Sequence, residues 1–239
     1  MQELATKTIR EIALEAPLTT RVFEEFKIDY CCGGRIPFAE ACEKAGVDPA
    51  AVMSKLENAL NAPAVKDNSA ESKTQTELIE YIVDKHHVFT RNELERLLPL
   101  MNKVAMKHGE HHPELFEIKE LFMAATDDLM PHMRKEEMVL FPYIEQLEFA
   151  TTGGGVAPMP HFGTVRNPVR MMMFEHETVG DILRKMRSLS NDFTPPEGAC
   201  PSYRGLYVGL EELEKDLHQH IHLENNVLFP RAIEMEEKL

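Results

Sequence analysis

The 239-residue sequence contains no tryptophan, few cysteines and many fewer basic than acidic side chains. Lysine and arginine total 26 against 40 aspartate and glutamate residues, so the formal net charge is -14. Nucleic-acid binding needs clustered basic side chains that contact phosphates, and this balance therefore argues against a nucleic-acid partner. It equally disfavours an anionic membrane surface, and no apolar run approaches the roughly 20 residues that a membrane-spanning helix needs.

Two further absences bear on the compartment. Residues 1–5 lack the basic and then apolar pattern of a secretory signal. Of the four cysteines, Cys42 and Cys200 are isolated and Cys31 and Cys32 are adjacent, so no disulfide framework is visible. We therefore expect a cytoplasmic protein.

What the chain has instead is histidine, 11 residues in all, and a repeat organised around it. His132 and Glu136 are followed by Val-Leu-Phe-Pro, and His220 and Glu224 are followed by the same four residues at the same offset, 88 positions later. Positions four apart on a helix share one face, with Cβ atoms roughly 5–6 Å apart. Each copy of the repeat therefore brings an imidazole and a carboxylate to one place, where they could bind one metal ion.

The hydrophobic periodicity predicts helices throughout, and no strand pattern competes with it. The four long segments with helical spacing are 77–107, 113–149, 167–189 and 201–235. Short helical stretches also occur in residues 1–60, around an Asp-Tyr-Cys-Cys-Gly-Gly turn, and the polar residues 61–76 have the composition of a linker. We predict an all-α protein, with a small helical domain (1–60), a linker (61–76) and a four-helix bundle (77–239).

The repeat also predicts ligands on the other two helices of the bundle. If helices one and three match as helices two and four do, His86 pairs with His176, which lies 90 positions further on. Bundle cores are a known place to build metal sites from facing helices. The candidate ligands are His86, His132, Glu136, His176, His220 and Glu224. His87 is expected to point elsewhere, because it is the neighbour of a candidate ligand.

The donor types narrow the choice of metal. Four imidazoles and two carboxylates without a thiolate suit iron or manganese better than a closed structural zinc site. Two glutamates are enough to bridge two ions, so the pattern predicts a di-metal centre. Asp128 and Asp216 each precede a repeat histidine by four residues and are candidates to orient that imidazole.

The adjacent Cys31 and Cys32 are too close together for the paired-cysteine spacing of a zinc site. Two thiols in a glycine-rich turn are exposed enough for redox or metal-transfer chemistry. The alternative is a small turn with incidental cysteines. Cys42 and Cys200 are expected to be inert.

Taken together, the Cys-Cys-Gly-Gly turn and the two His-x-x-x-Glu copies resemble the iron–sulfur cluster repair di-iron proteins, the repair-of-iron-centres family of the YtfE/ScdA type. The resemblance covers nearly the whole chain. It implies a hemerythrin-like bundle with two non-haem iron ions bridged by glutamate, and it places the family's four histidine and two glutamate ligands on the six candidates above. It also places the family's cysteine pair on Cys31 and Cys32, as a catalytic or relay pair. One departure is Thr90, where family members have a second histidine one turn after the first ligand.

The resemblance implies recovery of iron–sulfur clusters damaged by nitric oxide or peroxide, with damaged iron–sulfur proteins as partners. The alternative is a protein that binds or reduces a diatomic, nitric oxide or oxygen, with a reductase-type activity left open. Oxygen carriers of this fold use five histidines, so four argue against simple carriage. A purely structural metal bundle is the third interpretation. The sequence does not determine the oligomeric state, and a homodimer is among the states it allows.

Overall fold

The computed structural model describes residues 6–16, 19–30, 33–61, 72–156 and 159–239. Within those ranges the regular structure is helical, with no β-strand, and the isolated β-type contact joins Thr8 and Pro37. The predicted all-α class is confirmed.

The N-terminal unit packs four short helices around one small core. These are α1 (Ile9–Glu15), α2 (Thr20–Glu25), α3 (Phe38–Ala45) and α4 (Pro49–Asn61). The Thr8 hydroxyl accepts the amide of Glu11, and the Glu11 carboxylate accepts the amide of Thr8, which satisfies two amides at the start of α1. Helix α3 ends at Ala45 and is capped by Gly46, whose φ of 67° is costly for any residue with a Cβ. The buried core includes Ile9, Ile12, Phe23, Phe38, Val52 and Leu56.

The bundle consists of four long helices, three of which contain a π-helical segment. The first comprises α5 (Gln75–Tyr81), a π segment (Ile82–His87) and α6 (Val88–His108). The second comprises α7 (Glu114–Lys135), a π segment (Glu136–Leu140) and α8 (Phe141–Thr151). The third is α9 (Arg166–Leu189). The fourth comprises α10 (Pro201–Leu223), a π segment (Glu224–Leu228) and α11 (Phe229–Glu237).

The repeated Val-Leu-Phe-Pro sequence coincides with the end of two π segments. The amide of Phe141 donates to the carbonyl of Glu136, five residues back, and the amide of Phe229 donates to that of Glu224 in the same way. The next residue in each helix is a proline, which has no amide and whose ring conflicts with the carbonyl four residues before it. A wider turn at this point accommodates the proline, and such turns are frequent at functional sites.

Two apolar clusters fill the bundle, one towards each end. One contains Leu94, Phe122, Leu183 and Leu217, and the other contains Leu78, Phe141, Met172 and Phe229, each with further members. Along each of the four helices, residues of the first cluster give way to residues of the second near the candidate ligands. The polar site is therefore enclosed by apolar side chains on both sides.

The N-terminal unit contacts the bundle beside the π segment of the fourth helix. The Arg10 guanidinium donates to the carbonyl of Asn225 at 3.4 Å, and the Gln219 amide donates to the Glu24 carboxylate at 3.1 Å. The ring of Tyr30 meets that of His222 edge to face, with centroids 5.3 Å apart. The two units thus share polar and aromatic contacts on the helix that carries the second copy of the repeat.

Candidate metal centre

Six buried side chains from all four bundle helices converge between the apolar clusters. They form two groups with two members in common, and within each group the ligand atoms lie within 4.8 Å of one another. The first group is His87, Glu136, His220 and Glu224, and the second is His132, Glu136, His176 and Glu224. All six are at most 2% exposed. Burying two carboxylates together is costly unless positive charge balances them.

Each group contains a pair of imidazoles that face each other through Nε2. The distance is 3.1 Å between His87 and His220 and 2.9 Å between His132 and His176. Two nitrogens bound at right angles to one ion, with metal–nitrogen bonds of about 2.0 Å, would lie about 2.8 Å apart. Both spacings are therefore compatible with one ion held by each pair.

Hydrogen bonds on the other ring nitrogen determine which nitrogen carries the lone pair. Nδ1 of His87 lies 2.7 Å from the Glu137 carboxylate, and Nδ1 of His132 lies 2.7 Å from the Glu175 carboxylate. A carboxylate only accepts, so both Nδ1 atoms must be the donors. Neutral imidazoles in this tautomer present the Nε2 lone pair to the centre, as metal-bound histidines do.

His176 is oriented in the same way by an amide. Its Nδ1 lies 2.9 Å from Oδ1 of Asn225, an acceptor. In the neutral rings, lone pairs of His132 and His176 then face each other at 2.9 Å, which is unfavourable unless a proton or a metal ion lies between them.

Glu136 and Glu224 extend one oxygen towards each group. For Glu136, Oε1 is 3.4 Å from Nε2 of His132 and Oε2 is 3.5 Å from Nε2 of His87. For Glu224, Oε1 is 3.0 Å from Nε2 of His220 and Oε2 is 3.2 Å from Nε2 of His176. Both carboxylates therefore lie in the arrangement that bridging requires.

The residues present fit a metal. Both oxygens of Glu136 and Oε2 of Glu224 are buried without a hydrogen-bond donor among the described residues. Buried carboxylate oxygens are normally satisfied, and a bound cation would satisfy these.

The pKa values of the metal-free site point the same way. Burial lowers the pKa of His87, but the Glu136 and Glu224 carboxylates outweigh it and raise that pKa to about 10. Burial likewise opposes protonation of His176, yet Glu224 and Glu136 raise its pKa to about 9. Burial alone would raise the pKa of Glu224, but His220, His176 and His87 bring it well below its usual value. The two carboxylates attract positive charge, which protons or a metal can supply.

The structure brings together five of the six ligands predicted from the sequence and places His86 outside both groups. Nδ1 of His86 lies 3.0 Å from the Asp216 carboxylate, and its ring stacks on that of His220 with centroids 5.7 Å apart. His87 occupies the place expected for His86, so the expectation that His87 points elsewhere is wrong.

The cause is the π segment Ile82–His87, which inserts one residue into the helical repeat. Counting forward from Leu78 at α-helical spacing reaches His86, whereas counting back from Leu94 through Thr90 reaches His87. A second signal was available. His176 lies 89 positions after His87, nearer to the 88 of the repeat than the 90 positions from His86.

The residues that orient the imidazoles also differ from those predicted. Asp128 is exposed, and Asp216 contacts His86 rather than His220. The observed partners are Glu137, Glu175 and Asn225, and each is adjacent in sequence to a candidate ligand. That adjacency is the signal that could have identified them.

Thr90, at the position where the family resemblance implies a second histidine, is fully buried beside the site. Its hydroxyl has no hydrogen-bond partner among the described residues. His222 is buried, and its Nδ1 lies 2.9 Å from Nδ2 of Asn226.

Cys31 and Cys32 lie outside the described residues, but the residues on either side are described. The Tyr30 hydroxyl donates to the Glu24 carboxylate at 2.7 Å. A Cβ on Gly34 would lie 2.4 Å from the Tyr30 carbonyl oxygen, so this position requires glycine. The Gly34 carbonyl accepts the Arg10 amide at 2.7 Å.

Comparison with known proteins identifies the family. Residues 78–232 match the hemerythrin HHE cation binding domain, and residues 5–60 match a domain of unknown function, DUF542. The iron–sulfur cluster repair protein YtfE of Dickeya chrysanthemi (strain Ech1591) is 34% identical over 227 residues, which cover 95% of this chain and 96% of the relative. The YtfE proteins of Yersinia pseudotuberculosis (serotype IB, strain PB1/+) and Yersinia pestis (strain Pestoides F) are 34% identical over 230 residues, with the same coverage.

The chain belongs to the iron–sulfur cluster repair protein family. Its bundle is a hemerythrin domain, which confirms the hemerythrin-like fold class, and the two histidine and glutamate groups of this repair-family chain fit iron binding. Across the described ranges, none of the helices has both the length and the apolar character needed to span a membrane.

Proposed function

We propose that this protein is a di-iron protein that repairs iron–sulfur clusters damaged by nitrosative or oxidative stress. Relatives that match this chain over almost their whole length are named iron–sulfur cluster repair proteins. The observation that carries the proposal is the pair of ligand groups that share Glu136 and Glu224. One group would serve a single ion, whereas two groups with common carboxylates suit a bridged pair.

The proposed ligands are two histidines for each ion and the two shared glutamates. His87 and His220 would hold one ion, and His132 and His176 the other. In this ligand set His87 replaces His86, which was predicted from the repeat. Because no cysteine is in either group, nitrogen and oxygen donors favour iron over a closed thiolate zinc site.

The proposed mechanism is donation of iron to the damaged cluster. Each ion would have two imidazoles and two carboxylate oxygens, so positions remain for exchange with a small molecule or an acceptor. Glu137, Glu175 and Asn225 hold the imidazoles in the metal-binding tautomer, and the apolar clusters limit access by water. When bound, the iron supplies both the material for repair and an affinity for diatomic ligands.

The proposed domains are the small helical domain, 1–60, and the bundle, 77–239, joined by the linker, 61–76. The bundle would hold the iron, and the small domain would supply the cysteine pair. We propose that Cys31 and Cys32 act as acceptor or redox relay, with damaged iron–sulfur proteins as the clients. Their vicinal thiols suit the reducing cytoplasm, which is the proposed location.

The second candidate function is binding or reduction of nitric oxide or oxygen at the same centre. It is favoured by the number of protein ligand atoms, because four ligand atoms at each ion would leave coordination positions open. Consumption of nitric oxide without recovery of a damaged enzyme would select it.

The test is recovery of a purified iron–sulfur enzyme that nitric oxide has inactivated. We expect the iron-loaded protein to restore activity. The Glu136→Ala/Glu224→Ala variant, which lacks both shared carboxylates, should not restore it. A Cys31→Ala/Cys32→Ala variant is measured in parallel, and full recovery with it removes the cysteines from the mechanism. No recovery with the wild-type protein would overturn the repair function.

A further inference from the structure

A cleft of about 830 Å³ lies between the N-terminal unit and the bundle. Arg35 lines it from the N-terminal unit, Arg166 and Arg170 line it from the start of α9, and Asn225 lines it from the π segment of the fourth helix. Small-molecule sites are commonly about 300–1,000 Å³, so the cleft has the size of a ligand site.

The arginines of this cleft are unusual because the protein as a whole is acidic. Arg35 and Arg170 are exposed, and neither has a carboxylate within 4.0 Å among the described residues. Arg166 is paired with Glu237, and Glu177 is the acidic residue of the lining. In a chain with a net charge of -14, unpaired arginines on both walls of one cleft form a local positive region.

A further arginine, Arg10, lies close to Arg35. Arg10 is half-buried, and its guanidinium donates to the backbone carbonyl of Asn225 rather than to a carboxylate. Burial and then the charge of Arg35 lower the pKa of Arg10, although the Glu11 carboxylate acts in the opposite direction. The two guanidinium groups therefore repel each other. An anion in the cleft would relieve that repulsion.

The N-terminus of α9 reinforces the positive potential of the cleft. Arg166, Asn167 and Val169, in its first turn, line the cleft. The N-terminus of this 24-residue helix carries the positive end of its macrodipole.

We propose that this cleft binds a small polyanion that carries two or more carboxylate or phosphate groups. A guanidinium binds either oxyanion through two parallel hydrogen bonds, and arginines on opposite walls suit a ligand with separated anionic groups. The ligand would lie against Asn225, whose side chain orients His176. This binding site does not depend on the repair function.

The experiment is calorimetric titration of the iron-loaded, full-length protein. Propane-1,2,3-tricarboxylate and pyrophosphate, which carries two phosphate groups, are the probes. Acetate is the single-charge control, and iron content is measured before and after. We expect the tricarboxylate, the pyrophosphate or both to bind with a dissociation constant below about 1 mM, and acetate to bind at least about tenfold more weakly. The two probes distinguish a carboxylate ligand from a phosphate ligand.

The variants test the location. Arg35→Gln/Arg170→Gln should weaken binding of the successful probe at least about tenfold, since each arginine supplies charge-assisted hydrogen bonds. Arg204→Gln is the control because it removes an exposed arginine on α10, close to the opposite apolar cluster, and binding should be unchanged. Far-ultraviolet circular dichroism checks that both variants are folded.

Two results would overturn the proposal. The first is that neither polyanion binds the wild-type protein at an ionic strength about tenfold below the physiological value, where salt screens the charge attraction less. The second is equal affinity in the wild-type protein and the folded double variant. Both results are independent of enzyme recovery, so they differ from a failure of the repair function.

Discussion

His86 and His87 are adjacent, equally buried imidazoles with different surroundings. Nε2 of His87 faces His220 and both shared carboxylates, whereas His86 pairs with Asp216. We expect His87→Ala to weaken iron retention against a chelator by more than about 100-fold, because it removes a proposed ligand rather than an orienting group.

His86→Ala is the matched control, since it deletes the same side chain one position earlier. It should keep its iron and lose some stability, because it leaves the Asp216 carboxylate without its imidazole partner. Iron content by elemental analysis after dialysis separates the two variants. Greater iron loss from His86→Ala than from His87→Ala would contradict the assignment.

The carboxylate of Glu175 fixes the ring of His132, and the exposed Asp128 does not. We predict that Glu175→Ala weakens iron affinity by about 10–100-fold, the usual effect of losing the partner of a metal-bound histidine. Asp128→Ala removes an equal charge from the same long helix and should leave affinity within about twofold. Chelator competition measures both, and a larger effect at Asp128 would be incompatible with the hydrogen bond described.

Cys200 is better placed for reaction than expected from its sequence. Its Sγ lies 3.2 Å from Nε2 of His108. The amides of Tyr203 and Ser202 at the start of α10, together with nearby lysines, lower the pKa of its thiol, whereas burial and then Asp48 raise that of Cys42. A lowered pKa leaves more thiolate at neutral pH, and thiolate is the reactive form.

We therefore expect iodoacetamide to modify Cys200 at pH 7 at least about tenfold faster than Cys42. The rate should rise with pH around a midpoint below the value of about 8.5 for a free cysteine. Peptide mass spectrometry on the Cys31→Ala/Cys32→Ala variant isolates the two sites. A midpoint at or above that of a free cysteine would show that the helix terminus does not stabilise the thiolate.

At the scale of elements, the start of the first bundle helix is held by the second. The Glu148 carboxylate on α8 accepts the amides of Gln75 and Thr76 at 2.7 and 2.9 Å, and the Thr76 hydroxyl at 2.7 Å. Burial raises the pKa of Glu148, but these hydrogen bonds outweigh it and lower that pKa below its usual value.

Glu148→Ala should lower the free energy of unfolding by about 1–3 kcal/mol at pH 7, because it leaves helix-terminal amides without their charged acceptor. A carboxyl with a lowered folded pKa stabilises above its unfolded pKa, near 4.3, and loses that contribution as pH falls through its folded pKa. The difference between wild type and variant in urea unfolding should therefore shrink in acid. Glu145→Ala, on the same helix, should cost less than about 0.5 kcal/mol. A difference that grows in acid would refute the role of the carboxylate.

The bounds of the bundle helices were predictable to within a few residues. The third was expected over 167–189 and occupies Arg166–Leu189, and the fourth was expected over 201–235 and ends at Glu237. Apolar residues at helical spacing, with Pro201 at the first position of its helix, are strong local signals. The π segments were not predicted, because a one-residue insertion leaves the composition unchanged and alters only the phase. His86 was preferred to His87 for that reason.

At the scale of the whole molecule, the sequence did not predict how the two units meet. The contacts are single pairs far apart in the chain, such as Arg10 with Asn225 and Tyr30 with His222, and neither has a local pattern. The repeat, in contrast, predicted five of the six residues that converge, because identical spacing on two helices implies matching positions in a bundle. The arrangement places Tyr30, which directly precedes the cysteine pair, against the helix of His220 and Glu224.

We propose that the shared carboxylates of Glu136 and Glu224 join the two ligand groups into a centre for two iron ions. The most direct measurement is the amount of iron bound per chain after anaerobic loading and removal of excess metal. We expect two ions per wild-type chain and no more than one in the Glu136→Ala/Glu224→Ala variant, which lacks both bridges. A wild-type protein that saturates at one ion per chain, or that retains zinc in preference to iron, would contradict the account.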